Sequence, residues 1–298
     1  MAPTRRMPVV FLMVLAVVSA ANAVDWPQFR GPGRDGISHE TGLLKQWPQE
    51  GPKELWSYDG LGAGFSSVSV VAGVVYTTGM IDGQGYLFAF DAQGSLKYKI
   101  AYGPEWTKSG NYPGTRTTPT IDGDRLYLMS GQGRIACHRV ATGEHLWHID
   151  TLDKFKGKNI TWGIAESPLI DGEKVICTPG GQDATVVALN KMTGETIWTT
   201  KGLSQLSAYC SPVLVERGST RLILTLVEKA AIGVDAGTGK VYWIIPHEVS
   251  YDIQAVSPVY QDGLMYVTNG YHHGSFGYAL SPDRSEEHTS ELQSHHPI

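Results

Sequence analysis

The sequence predicts an all-β fold, a β-propeller of four-stranded antiparallel blades, on three observations. A short phrase recurs as "ATGEHLW" at 141–147, "MTGETIW" at 192–198 and "GTGKVYW" at 237–243, with a worn copy, "AQGSLKY", at 92–98. Its glycines, Gly94, Gly143, Gly194 and Gly239, are 49, 51 and 45 residues apart, a period typical of propeller arrays. The stretches between them alternate like strands and break at Asp-Gly and Gly-Gly turns. Finally, 35 Gly and 8 Trp in 298 residues suit many short strands joined by tight reversals.

One repeat shows the blade. In residues 166–200, "SPLI", "EKVICTP", "ATVVALN" and "ETIWTT" read as four strands. They are separated by Asp171-Gly172, by Gly180-Gly181-Gln182-Asp183 and by the Thr-Gly turn. Residues 117–149 and 210–244 repeat this order, 66–100 do so less faithfully, and a fifth copy begins at 256–267 and breaks off. "KELWSY" (53–58) reads as a lone strand completing a last blade.

The recurring phrase has a physical reading. Gly143, Gly194 and Gly239 supply the positive φ that the hairpin between third and fourth strands demands. Four residues on, Trp147, Trp198 and Trp243 lie on the outer strand, where a large ring fills the wedge between neighbouring blades. These six are expected to be structural blade-docking residues.

Residues outside the repeats have their own signatures. Arg5 and Arg6, an apolar run from Val9 to Val18 and the Ala21-Asn22-Ala23 cleavage pattern mark residues 1–23 as a secretory signal peptide. The apolar run is too short to span a bilayer, so the mature chain is expected to have no transmembrane span. No lipoprotein cysteine stands at the cut, and the expected location is periplasmic or secreted. Residues 24–52 form a lead-in whose "RGPGRDG" stretch is expected to wrap the propeller rim, and 53–283 form the propeller, incomplete as a ring. Residues 284–298 read as a non-native tail: "RSEEHTSELQS" resembles a translated sequencing adapter, and the next Thr-Gly due near 284–285 is Arg284-Ser285.

Net charge is −5 with no long basic run, which argues against a nucleic-acid partner. Cys137, Cys177 and Cys210 are too few and too scattered for a disulfide framework and read as small buried hydrophobes. His272-His273 reads as a solvated loop pair without a third ligand.

The longer phrases "CHRVATGEHLW", "ALNKMTGETIW" and "GVDAGTGKVYW" resemble the tryptophan-docking repeat of the pyrroloquinoline quinone (PQQ) family of β-propellers. "DWPQFRGPGRDGIS" (25–38) is similar to the opening of exported members. The resemblance spans about 25–283 and implies a ring of seven or eight blades, of which about five copies are present. It implies two kinds of protein: scaffold propellers of the cell envelope, which bind partners, and quinoprotein dehydrogenases, which hold PQQ and calcium near the axis and oxidise alcohols or sugars. The scaffold is the expected function and the dehydrogenase the alternative. No adjacent Cys-Cys pair supports the enzyme, and no cofactor is assigned, with PQQ and Ca²⁺ the candidates.

Topology locates the candidate site. Loops from one blade to the next, 101–116, 150–165, 201–209 and 246–255, emerge on one face beside the axis. They carry Arg116, Trp162, Glu166, Tyr209 and Asp252 to its inner mouth. Arginine suits ligand carboxylates, acidic residues suit a hard cation, and tryptophan stacks on planar rings. The partner is therefore expected to be a protein or a small ligand on this loop face. Tyr102, Trp106, Tyr112 and Trp162 also allow a glycan- or peptide-binding surface.

Overall fold

The computed structural model describes residues 24–108, 110, 112–271 and 273–280, and the backbone of 291–294. The signal peptide and most of the tail lie outside the described residues. Five antiparallel sheets follow one another along the chain. The first contains β1 (Ser69–Val71), β2 (Val74–Ile81), β3 (Gln84–Phe90) and β4 (Leu96–Pro104). In the second, β5 (Thr120–Asp122), β6 (Arg125–Met129), β7 (Arg134–Arg139) and β8 (His145–Asp150) lead into a short helix, α1 (Thr151–Phe155). The third holds β9 (Leu169–Asp171), β10 (Lys174–Cys177), β11 (Val187–Asn190) and β12 (Thr196–Thr199). The fourth holds β13 (Val213–Arg217), β14 (Thr220–Val227), β15 (Ala230–Asp235) and β16 (Val241–Pro246). The fifth has β17 (Val259–Gln261), β18 (Leu264–Asn269) and β19 (Gly274–Ala279), with β20 (Glu291–Ser294) in the fourth place. Each sheet runs in chain order by hairpins, the up-and-down blade that the repeats predict. No helix among the described residues is long and apolar enough to cross a membrane.

Successive blades bury apolar faces against one another, the nearest-neighbour logic of a repeat protein. Leu87, Ala89, Leu126 and Leu128 fill the first interface; Tyr127, Ile135, Val175 and Leu189 fill the second. Ile176, Ala188, Ile223 and Ile232 close the third, and Leu224, Leu226, Met265 and Val267 the fourth. The three cysteines are free and buried in these seams.

The Thr-Gly turns show how the repeat works. Gly94, Gly143, Gly194 and Gly239 have φ of 83°, 73°, 76° and 76°. A Cβ at Gly194 would lie 2.9 Å from the Trp147 ring, and one at Gly239 would lie 2.5 Å from that of Trp198. The tryptophan of one blade therefore sits on the bare turn of the next. Trp147 Nε1 donates to Lys191 O at 3.0 Å and Trp198 Nε1 to Ala236 O at 3.3 Å, so each ring is also pinned to the neighbouring turn. Trp243 folds over Gly233 of its own blade, which faces the fifth. Asn190 and Asp235 cap their turns by accepting from backbone N–H groups two and three residues on.

Trp56 covers Gly94 in the same manner, with its ring 2.6 Å from where a Cβ would stand. Its ring centroid is 5.6 Å from that of Phe90. Residues 53–58 differ from the expectation in having no strand pairing among the described residues; they meet β3 through side chains, Trp56 on Phe90 and Tyr58 on Phe88 and Phe90.

A second lock joins the innermost strands. The N–H of Thr118 donates to Ser167 Oγ at 2.9 Å, that of Ser167 to Ser211 Oγ at 2.9 Å, and that of Ser211 to Ser257 Oγ at 3.1 Å. Each of these residues precedes a proline, at 119, 168, 212 and 258, whose missing N–H keeps the strand from being paired at that point. The result is a hydrogen-bonded ladder running from blade to blade around the axis.

The lead-in corrects another expectation. Rather than wrapping the rim, it enters the axis and meets the innermost strands. Trp26 exchanges two backbone bonds with Val70 of β1, and Ile121 of β5 donates to Pro27 O. Arg34, only 4% exposed, donates to Ser167 O at 2.8 Å and to Pro168 O at 3.0 Å at the start of β9. Its side chain also reaches Gln28 Oε1 at 3.1 Å. A guanidinium has donors enough to satisfy several inward-facing carbonyls, which no rim position offers. Beside it, Arg30, Arg34 and Asp35 border a cleft of about 200 Å³ against Val213–Glu216 and Pro258–Tyr260. That is smaller than the roughly 300–1,000 Å³ of ordinary ligand sites.

Candidate functional site

The face opposite the Thr-Gly turns is built from blade-to-blade loops bonded to neighbouring second-to-third-strand loops. Glu105, after β4, accepts from Gly131 N at 2.7 Å in the next blade. Ile164 N and Asn159 Nδ2 both donate to Gly131 O. Farther round, Asp183 N donates to Leu203 O, Glu228 N to Leu206 O and Tyr209 N to Gln254 O. The loops are thus braced on rigid blades, a sound platform for a binding surface.

Four of the five expected site residues come to this mouth. Arg116 is half-buried; it donates to Gly114 O at 2.8 Å and to Tyr112 O, and its guanidinium carbon lies 6.0 Å from the Phe65 ring centroid. Phe65 in turn meets Tyr112 edge-on at 6.2 Å. The rings of Trp162 and Tyr209 meet at 5.9 Å. Burial raises the Tyr209 phenol above its usual range, while the charges of Arg116 and Asp252 act on it in opposite directions. Asp252 follows Tyr251, and both take left-handed φ, 55° and 63°. Tyr251 packs at 5.5 Å on Tyr271, whose loop is held by His273 Nε2 accepting from Ser250 N. His273 is thus hydrogen-bonded on this face while remaining partly exposed, and His272 lies outside the described residues.

Glu166 departs from the expectation. It is 1% exposed, one oxygen accepts from Thr178 N at 2.6 Å, and the other has no partner. Its charge neighbours are Arg34, Cys177 and Cys210 beneath the mouth. Burial pushes its carboxyl up to about 7, with Arg34 opposing more weakly, and burial likewise lowers Arg34 to about 10. Glu166 and Asp252 thus look to different neighbours. Among the described residues no three His, Cys, Asp or Glu side chains converge as they stand on a point that would hold a metal ion.

Glu105 is the functional-face residue that sequence reading missed. It is 1% exposed and accepts from Tyr102 OH at 2.5 Å, from Gly131 N and from Trp106 N. Burial pushes its carboxyl up to about 7 against these bonds and the field of Arg116. An acidic residue between Pro104 and Trp106 was its only signal. Tyr102 is buried in this bond, so it leaves the aromatic set proposed for glycans.

The two buried glutamates make a testable pH dependence. Both folded values lie above the ordinary 4.5, so between about 4.5 and 7 the native state holds protons that the unfolded chain has released. Their contribution is complete below 4.5 and is lost as pH rises through 7. Between pH 5 and 7.5 the wild type is expected to lose urea resistance relative to a Glu105→Gln, Glu166→Gln variant. Equal pH profiles for the two proteins would refute this.

Fold and mouth together define a repeat β-propeller of the PQQ type. Residues 104–273 match the family described as outer membrane protein assembly factor BamB, and the chain belongs to that family. No curated protein matches it in sequence. Among solved structures it is similar to BamB from Moraxella catarrhalis, with 19% identity, a TM-score of 0.50, and 78% of this chain and 60% of that one covered. It is also similar to a quinohemoprotein alcohol dehydrogenase from Comamonas testosteroni, with 15% identity, a TM-score of 0.62, and 91% and 50% covered. A third similarity is to the quinohemoprotein alcohol dehydrogenase ADHIIG from Pseudomonas putida HK5, with 16% identity, a TM-score of 0.51, and 79% and 42% covered. At these identities the likeness is one of fold, and the chain spans about half the length of the structures it matches.

Proposed function

We propose that the protein is exported by its N-terminal signal peptide and serves in the cell envelope as a scaffold or binding propeller that docks a protein partner on its loop face. The observation that carries this reading is the aromatic file on that face. Phe65, Tyr112, Tyr251 and Tyr271 are exposed, 62%, 67%, 73% and 54%, and half-buried Trp162 and Tyr209 continue the file beside Arg116. Aromatic residues and arginine dominate the energetics of protein interfaces, and a face carrying both is poorly explained by solvation alone. Family membership supports the same reading. The test is site-specific photo-crosslinking of the full-length protein in its own cells, with the reactive group at Tyr112, Tyr251 or Tyr271, and at Met192 or Ile197 on the outer rim. Discrete adducts from the face and none from the rim are expected; rim adducts alone would overturn the assignment.

A small-ligand reading, a PQQ- and calcium-dependent dehydrogenase, rests on the Arg116 guanidinium above Phe65 next to the Trp162–Tyr209 pair, a setting suited to a planar acid. Titration with PQQ and Ca²⁺ by calorimetry is expected to give no saturable heat. Tight, calcium-dependent binding abolished by Arg116→Ala would replace the scaffold reading with the enzyme.

A further inference from the structure

Three of the chain's ten histidines gather on one hairpin of the second blade. His138 lies on β7, and His145 and His148 lie on β8. The register pairs His138 with His145 and Ala136 with His148, and the bulge between Cys137 and His138 leaves the three on one side of the hairpin. His145 Nε2 and His148 Nδ1 stand 3.0 Å apart in a shared hydrogen bond. The His138 ring meets that of His145 edge-on, with centroids 5.4 Å apart, and the His145 and His148 centroids are 5.1 Å apart.

His138 supplies the second observation. It is 1% exposed, and its Nδ1 lies 3.1 Å from Gly143 O, where it donates its N–H. That tautomer leaves the lone pair on Nε2, and Nε2 is buried without a partner. An unpaired buried nitrogen carries a desolvation cost and calls for an occupant. Donation of the remote N–H to a backbone carbonyl, which fixes tautomer and ring plane, is also the usual support of a metal-ligating histidine. The hairpin is stiff: the Thr142-Gly143 turn closes one end, and Arg134 grips Asp150 through two bonds of 2.7 and 3.0 Å at the other.

We propose that His138, His145 and His148 form a binding site for a divalent transition-metal ion of the imidazole-preferring kind, such as Zn²⁺. The three rings do not share one point as they stand. His145 and His148 are exposed, so each turns about its side-chain bonds without disturbing the core, whereas buried His138 stays as the fixed ligand. Each neutral imidazole presents one lone pair, so the ring that donates in the His145–His148 bond turns its other nitrogen to the ion, with no net proton release. Three nitrogens leave the fourth position of a tetrahedral ion to water.

The experiment is calorimetric titration of the purified protein with Zn²⁺ alone, repeated on His145→Ala/His148→Ala and on His295→Ala/His296→Ala. Both altered pairs lie at exposed or terminal positions, so the fold survives, as circular dichroism would verify. One equivalent of Zn²⁺ is expected to bind the wild type and the terminal variant alike, with at least a tenfold weakening in the hairpin variant. A single His138→Gln replacement is expected to weaken binding while leaving the His145–His148 pair. Absence of binding, or binding lost only with His295 and His296, would overturn the proposal.

Discussion

Trp198→Ala is expected to destabilise the protein by about 3–5 kcal/mol, the range for removing a large buried aromatic from a core. The ring is 8% exposed, belongs to the cluster joining the third and fourth blades, and donates to Ala236 O. Its loss removes three things at once: apolar area, an interblade hydrogen bond, and the ring that lies over the bare turn at Gly239. Backbone motion cannot refill the space, because Gly239 is fixed at φ 76° by the turn itself. A Gly239→Val variant tests the same contact from the other side, since its side chain would both strain that φ and collide with the Trp198 ring. Chemical denaturation would measure both. A loss below about 1 kcal/mol in either would mean that the recurring phrase does not hold blades together.

The repeat was legible for a physical reason. A hairpin that needs positive φ selects glycine, and a wedge that needs a broad ring selects tryptophan, so both constraints print themselves at blade spacing. The Ser/Thr-Pro pairs at 118–119, 167–168, 211–212 and 257–258 were equally periodic, yet they read only as strand starts. Their role depends on a donor one blade away, which no local pattern carries. Glu166 shows a signal present but unused. Its repeat column is shared with Thr117 and Cys210, both buried, and with Val256, 39% exposed, so the register leaned toward an interior side chain without fixing one. Arg34 had no such column. It lies in non-repeating sequence, and the carbonyls it satisfies are more than a hundred residues away. Arg116, Trp162, Tyr209 and Asp252 were placed by strand-count topology alone, which fixes the face and approximate radius of a loop but not which side chains meet.

Arg34→Met is the second large effect, expected to cost about 3 kcal/mol because buried acceptors that lose a charged donor bear their full desolvation cost. Ser167 O and Pro168 O would each lose that donor, and Glu166 would lose the opposing charge of Arg34 while remaining buried. The same change should release the lead-in from the axis. Hydrogen exchange at Val70 and Ile121, whose amides donate to Trp26 O and Pro27 O, should accelerate well beyond exchange in β14. Pairing it with Glu166→Gln separates the causes. If carbonyl satisfaction dominates, the double variant stays as weak as Arg34→Met; if charge balance dominates, Glu166→Gln restores much of the loss. Protection at Val70 and Ile121 unchanged in Arg34→Met would show that Trp26 and Pro27 hold the segment without the arginine.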